Sequence, residues 1–153
     1  MPAPDATAAA RPLMIRLLAL AFDEFSDEVH RRMEAFGFED IRPGHGCVFG
    51  NIDPEGSRLT ELAERACMTK QSVGEVTSDL ERRGYVERAP DPLDGRAKII
   101  RLTPRGREAQ CAGRAIIDEL ERDWAERYGE ERIAALRDAL EAVTAARDAL
   151  TRA

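Results

Sequence analysis

Residues 59–106 read LTELAERACMTKQSVGEVTSDLERRGYVERAPDPLDGRAKIIRLTPRG. Leu59, Leu62, Ala63 and Ala66 recur at three- and four-residue spacing, which makes one buried face of a helix. Cys67-Met68 is a tight turn, and Thr69 stands where a hydroxyl caps the helix that follows. Gly84 closes that second helix. Tyr85 to Arg88 and Lys98 to Leu102 alternate as two antiparallel strands. Asp91 to Ala97, with Pro92 and Gly95, forms the loop between them. Helix, turn, helix, strand, charged loop, strand is the order of a winged helix-turn-helix. Such a unit sets its second helix in a DNA major groove and its loop beside the adjacent minor groove.

A rotation of 100° per residue from Thr69 divides the second helix into two sides. Val73, Val76 and Leu80 fall together and read as core. Gln71, Glu75, Ser78 and Arg82 fall opposite, with Gly74 near them, where the missing side chain lets a DNA wall approach. The major-groove candidates are therefore Thr69, Lys70, Gln71, Ser72, Gly74, Glu75 and Ser78. Gln71 has the donor and acceptor that pair with adenine, and Lys70 can neutralise a phosphate or reach a guanine. Glu75 repels phosphate, so its place is to accept from cytosine N4 or to orient a neighbouring base contact. In the loop the candidates are Asp94, Arg96 and Lys98. Arg96 suits a narrow, electronegative minor groove, and Asp94 is expected to orient its guanidinium through a carboxylate pair. The plainer alternative is a solvated helix face and an ordinary polar hairpin.

Charge is distributed to match. The chain of 153 residues carries a formal charge of −6, yet residues 57–107 hold 11 Lys or Arg against 8 Asp or Glu. That segment is net positive, and the acidic excess lies on its flanks.

Outside this unit the chain reads as helix. A first helix is expected from Arg11 to Phe36, with Met14, Leu18, Phe22, Phe25, Val29, Met33 and Phe36 along one stripe and Leu13, Leu17 and Ala21 along another. So wide an apolar arc buries more than one face, one against its own domain and one against a partner. Gly37 ends that helix, and Pro43 opens a short one to about Asn51. Thr103-Pro104 starts a long helix to about Tyr128 that buries Ala109, Ile116, Leu120 and Trp124. Gly129 breaks it, and a last helix uses Ile133, Leu136, Leu140, Val143 and Leu150. The expected fold is mainly α with a small β-hairpin. Residues 37–103 form the winged helix-turn-helix, residues 11–36 and 104–153 the dimerisation helices, and residues 1–10 an Ala- and Pro-rich disordered tail without the features of a signal peptide.

Cys47, Cys67 and Cys111 show neither metal-binding nor disulfide spacing, and no apolar run reaches membrane-spanning length. The expectation is a cytoplasmic protein with no metal and no cofactor. It has two histidines and lacks a phosphate loop or nucleophile elbow, so it is not expected to be an enzyme. Cys67 lies near a helix N-terminus, which favours a thiolate, although packing as a small hydrophobe is the simpler reading; Cys111 reads as a helix-packing residue. A cysteine-based redox-sensing regulator and a winged-helix protein-interaction module without DNA binding are the alternatives. The polar outer face Gln71, Glu75, Ser78 and Arg82 argues against the second.

LTELAERA, MTKQSVGEVTSDLERRGYVER, DPLDGRAK and LTPRGRE together resemble the MarR family of bacterial transcriptional regulators. The resemblance runs in element order from Leu13 to Leu150 and is most specific from Leu59 to Glu108. It implies a homodimer whose first and last two helices form the interface, bound to double-stranded DNA at a pseudo-palindromic operator, usually as a repressor. It further implies release by a small phenolic or lipophilic ligand held between the dimer helices and the DNA-reading unit. Arg16, Phe22, His45 and Phe49 are the candidates for that pocket, with a hydrogen-bonded structural role as the alternative for His45. His30 is read as a surface residue. Peroxide-sensing relatives carry a reactive cysteine in the first helix, and this chain has none there.

Overall fold

The computed structural model describes residues 12–151, with side chains through residue 145. The tail expected over residues 1–10 lies outside the described residues. Helix α1 is Met14–Ala35; a 3-10 turn at Pro43–His45 runs into α2, Gly46–Phe49; α3 is Leu59–Ala66 and α4 is Lys70–Arg82. Strands β1, Val86–Pro90, and β2, Lys98–Leu102, precede α5, Pro104–Tyr128, and α6, Glu130–Thr151. The fold is the expected one, mainly helical with, among the described residues, a single antiparallel hairpin. Among the described residues no helix is long and apolar enough to cross a membrane.

Local chemistry sets the boundaries. Leu13 is extended at ψ 138°, so α1 begins at Met14 and not at Arg11. Gly37 follows α1 at φ +87°, a backbone that glycine adopts without strain. The Thr69 hydroxyl accepts from the Ser72 N–H at 3.1 Å, and the Thr103 hydroxyl from the Gly106 N–H at 3.1 Å, each satisfying an orphan donor at a helix start. Cys67 adopts the left-handed conformation at φ 57° and turns the chain from α3 into α4. β1 begins one residue later than expected and extends to Pro90, which pairs opposite Lys98 at the strand end where no further ladder donor is needed. Ser57 forms a one-residue antiparallel bridge to β2: its N–H donates to the Ile100 carbonyl at 3.0 Å and its carbonyl accepts from the Ile100 N–H at 2.8 Å. The hairpin is thereby tied to the entrance of α3.

One core joins these pieces. Leu62 of α3, Val73, Thr77 and Leu80 of α4, Tyr85, and Ile100 of β2 are fully enclosed, and Val48, Ile116 and Leu120 continue the cluster into α2 and α5. Thr77 was not expected on the inner face; its hydroxyl is satisfied by donating to the Val73 carbonyl at 2.7 Å. The second half of α1 packs on α5 through an edge-on Phe25–Trp124 contact with centroids 5.1 Å apart. Arg32 of α1 also pairs with Asp123 of α5 at 2.7 Å. The first half of α1 has no such cover, and Leu13, Met14, Ile15, Leu17, Leu18, Leu20 and Phe22 are exposed. On α6, Leu136, Leu140 and Val143 are exposed too.

Tyr85 joins the helix-turn-helix to α5. Its hydroxyl donates to the Asp40 carboxylate, and Arg105 lies over its ring at 4.6 Å while donating to its hydroxyl at 3.0 Å. Burial first, and then the bond to Asp40, raise the phenol's pKa above its ordinary value. The Tyr85 carbonyl accepts from the Thr103 N–H at 3.0 Å, which seats the first turn of α5 against the start of β1.

Candidate nucleic-acid interface

The outer face of α4 is polar and open. Lys70, Gln71 and Glu75 are exposed, and Ser72, Gly74 and Ser78 are half-buried. The Gln71 amide donates to Glu75 at 3.3 Å, so the acid holds the amide that would face a base. The Thr69 and Ser72 hydroxyls lie 2.8 Å apart within the cap. The Ser78 hydroxyl donates back along its own helix to the Gly74 carbonyl at 2.8 Å. A side chain at Gly74 would point toward Leu59 of α3, 3.7 Å away, so this glycine sits between α3 and the outer face.

Behind α4 lies an ionic hub that the sequence reading missed. Asp79 accepts from Arg83 at 2.9 Å, from Arg82 at 2.8 Å and from His45 Nε2 at 3.0 Å. Arg83 and then Arg82 hold its carboxyl well below the usual carboxylate range. His45 is 3% exposed, and its Nδ1 accepts from the Arg42 N–H at 3.0 Å. That places the remaining proton on Nε2, directed at Asp79. Burial lowers the imidazole's pKa more than Asp79 raises it. His45 therefore braces the reading helix, which is the hydrogen-bonded alternative stated above.

The hairpin loop is fastened at its base. Asp91 is 6% exposed and accepts from Arg58 Nε at 2.7 Å and from the Leu93 N–H at 2.8 Å. The Leu93 amide and then Arg58 lower the pKa of its carboxyl. Asp94 does not orient the Arg96 guanidinium as expected. Its carboxylate instead accepts from the Arg96 backbone N–H at 3.1 Å, an Asx turn that shapes the loop. Arg96 and Lys98 are exposed, as is Lys70. Among the described residues none of the three has a carboxylate partner, unlike Arg58, Arg82, Arg83 and Arg88. Arg88 of β1 reaches Glu81 at 3.0 Å and Ser78 at 3.3 Å, docking the hairpin on the flank of α4.

A cavity of about 960 Å³ opens between α1, α2 and α5. Phe22 and Phe49 line it, joined by Phe25, Val29, Met33 and Ile117. Arg16 and His45, also placed there by the sequence reading, are not among the lining residues; Arg16 lies on the uncovered half of α1. His30, read as a surface residue, does line it and carries a buried Nδ1 without a hydrogen-bond partner. Cys111, read as a packing residue, is exposed at the cavity, and Cys67 is exposed at the turn where packing was expected. Cys47 is half-buried at the cavity wall, and burial raises its pKa.

A capped, polar-faced helix braced from behind and flanked by a fastened basic hairpin defines a winged-helix protein of the DNA-binding class. The sequence pattern of the MarR family matches residues 40–97. The chain belongs to the MarR family of transcriptional regulators. It is 31% identical over 91 residues to the transcriptional regulator HosA of Escherichia coli O111:H-, an alignment covering 59% of this chain and 67% of that one. Solved structures share the fold. The MepR–DNA complex of S. aureus superposes with a TM-score of 0.71 at 23% identity, covering 89% of this chain and 99% of that one. CouR from Rhodococcus jostii RHA1, bound to p-coumaroyl-CoA, gives a TM-score of 0.68 at 23% identity, covering 83% and 88%.

Proposed function

We propose that this regulator is a homodimer that binds a pseudo-palindromic operator as a repressor in the cytoplasm. Residues 37–103 read the DNA, and residues 11–36 and 104–153 join the two copies. Thr69, Lys70, Gln71, Ser72, Gly74, Glu75 and Ser78 face the major groove, and the wing residues Asp94, Arg96 and Lys98 face the minor groove. One observation carries this reading: Lys70, Arg96 and Lys98, exposed and without carboxylate partners among the described residues, stand on the same unit as an open polar helix face, while Arg58, Arg65, Arg82, Arg83 and Arg88 of that unit are already paired. The exposed apolar side chains of α1 and α6 support a second copy as the partner. The cavity walled by Phe22, Phe49 and His30 supports a small phenolic or lipophilic effector that releases the operator.

Selection of bound duplexes from a random pool tests the reading, followed by titration of the selected site against salt. Two-fold related half-sites about one helical turn apart are expected, with affinity falling steeply as salt rises. Arg96→Ala should weaken that binding more than tenfold. No enriched sequence, or a flat log–log salt plot, removes the proposal.

A further inference from the structure

The wing tip carries an apolar residue that the proposed contacts do not use. Leu93 is 94% exposed, the most exposed large hydrophobic side chain among the described residues. It does not lie on a loose loop. Its N–H is held by Asp91, and Asp91 is held by Arg58 at the entrance of α3. The Asp91 N–H donates to the Ala97 carbonyl at 3.0 Å and the Ala97 N–H to the Asp94 carbonyl at 2.9 Å, closing the loop on itself. Pro92, which restricts its own backbone, precedes Leu93, and the exposed Arg96 completes the tip. The tip therefore presents a pre-shaped apolar edge and one cation. That is the composition of side chains that enter a minor groove, where an aliphatic wedge parts two stacked bases and a cation meets the electronegative floor.

We propose that Leu93 is a minor-groove wedge: it inserts at a base step beside Arg96, bends the operator there, and makes the protein prefer a flexible step at that position. The Arg58–Asp91 pair sets the angle at which the wedge meets the duplex. This rests on the reading of the wing as a DNA contact. A wedge gains apolar burial and no counterion release, so it separates from electrostatic binding in a salt titration.

The experiment uses the full chain and the duplex selected from random sequence, end-labelled for energy transfer. Leu93→Ala is expected to weaken binding about tenfold per half-site, to reduce the bend, and to leave the slope of log affinity against log salt unchanged. Leu93→Met should retain affinity and bend, and replacing the step beneath the wing by a stiff A-tract should weaken the native protein but not Leu93→Ala. Arg96→Ala should instead lower the salt slope. If Leu93→Ala binds and bends DNA as the native chain does, the wedge is wrong and the wing reading stands on Arg96 alone. If Arg96→Ala and added salt also leave binding unchanged, the wing does not touch DNA and both ideas fall.

Discussion

Alanine usually strengthens a helix where it replaces glycine, by about 1 kcal/mol in an exposed interior position. In α5 the structure reverses that sign at one glycine and keeps it at another. A Cβ added to Gly106 would stand 1.9 Å from the Tyr85 carbonyl oxygen and 3.2 Å from Leu102 Cδ2. That is roughly 1.5 Å inside van der Waals contact with a backbone atom, which no rotamer change relieves. The same carbonyl accepts from the Thr103 N–H, so lifting the first turn of α5 breaks this bond and disturbs the Thr103 cap. Overpacking of this kind costs about 1–3 kcal/mol, and the cap and the carbonyl bond add about 1 kcal/mol each. Set against the helix gain, Gly106→Ala should lose about 3 kcal/mol and melt roughly 10 °C lower. At Gly113, on the same helix, the nearest atom to an added Cβ is Met33 Sδ at 3.8 Å, an ordinary contact. Gly113→Ala should match the native melting point or exceed it by a few degrees. Thermal unfolding followed by circular dichroism compares the three proteins directly. A Gly106→Ala protein as stable as Gly113→Ala would refute the seating of α5 on β1.

Further outcomes follow from the helix braces. Because burial lowers the folded pKa of His45 below 6.5, the folded state favours the neutral ring. Its contribution is present above the unfolded pKa of about 6.5 and lost as pH falls through the lowered folded value. Denaturant midpoints measured across that window should drop for the native chain and change less for His45→Gln; parallel curves would disprove the linkage. Thr69→Ala removes the cap acceptor for the Ser72 N–H and should cost about 1 kcal/mol in urea unfolding, a loss that an equal midpoint would exclude. Gln71→Ala should relax base preference at one position per half-site, and site selection identical to the native protein would remove Gln71 from the reading surface.

What could be read in advance was local. Thr69 and Thr103 cap helices because a hydroxyl and an N–H three residues later need no other part of the chain. The inner face of α4 follows from periodicity, although Thr77 shows that a hydroxyl joins such a face once it can bond back to the preceding turn. The errors arise where distant segments decide. His45 takes the hydrogen-bonded structural role because Asp79, 34 residues away, accepts from its ring, while His30, expected at the surface, lines the cavity. The Arg58–Asp91 anchor spans 33 residues and has no periodic signature. Asp94 misled for another reason: the backbone N–H of Arg96 lies nearer than its guanidinium and captures the carboxylate first.

The uncovered leucines, isoleucine and phenylalanine of α1 have a thermodynamic corollary. In the homodimer proposed above, that aliphatic surface would be covered only on pairing, and mass action would then link stability to concentration. Diluting a solution of this protein should then lower its melting temperature, and a melting point independent of concentration would count against pairing through α1.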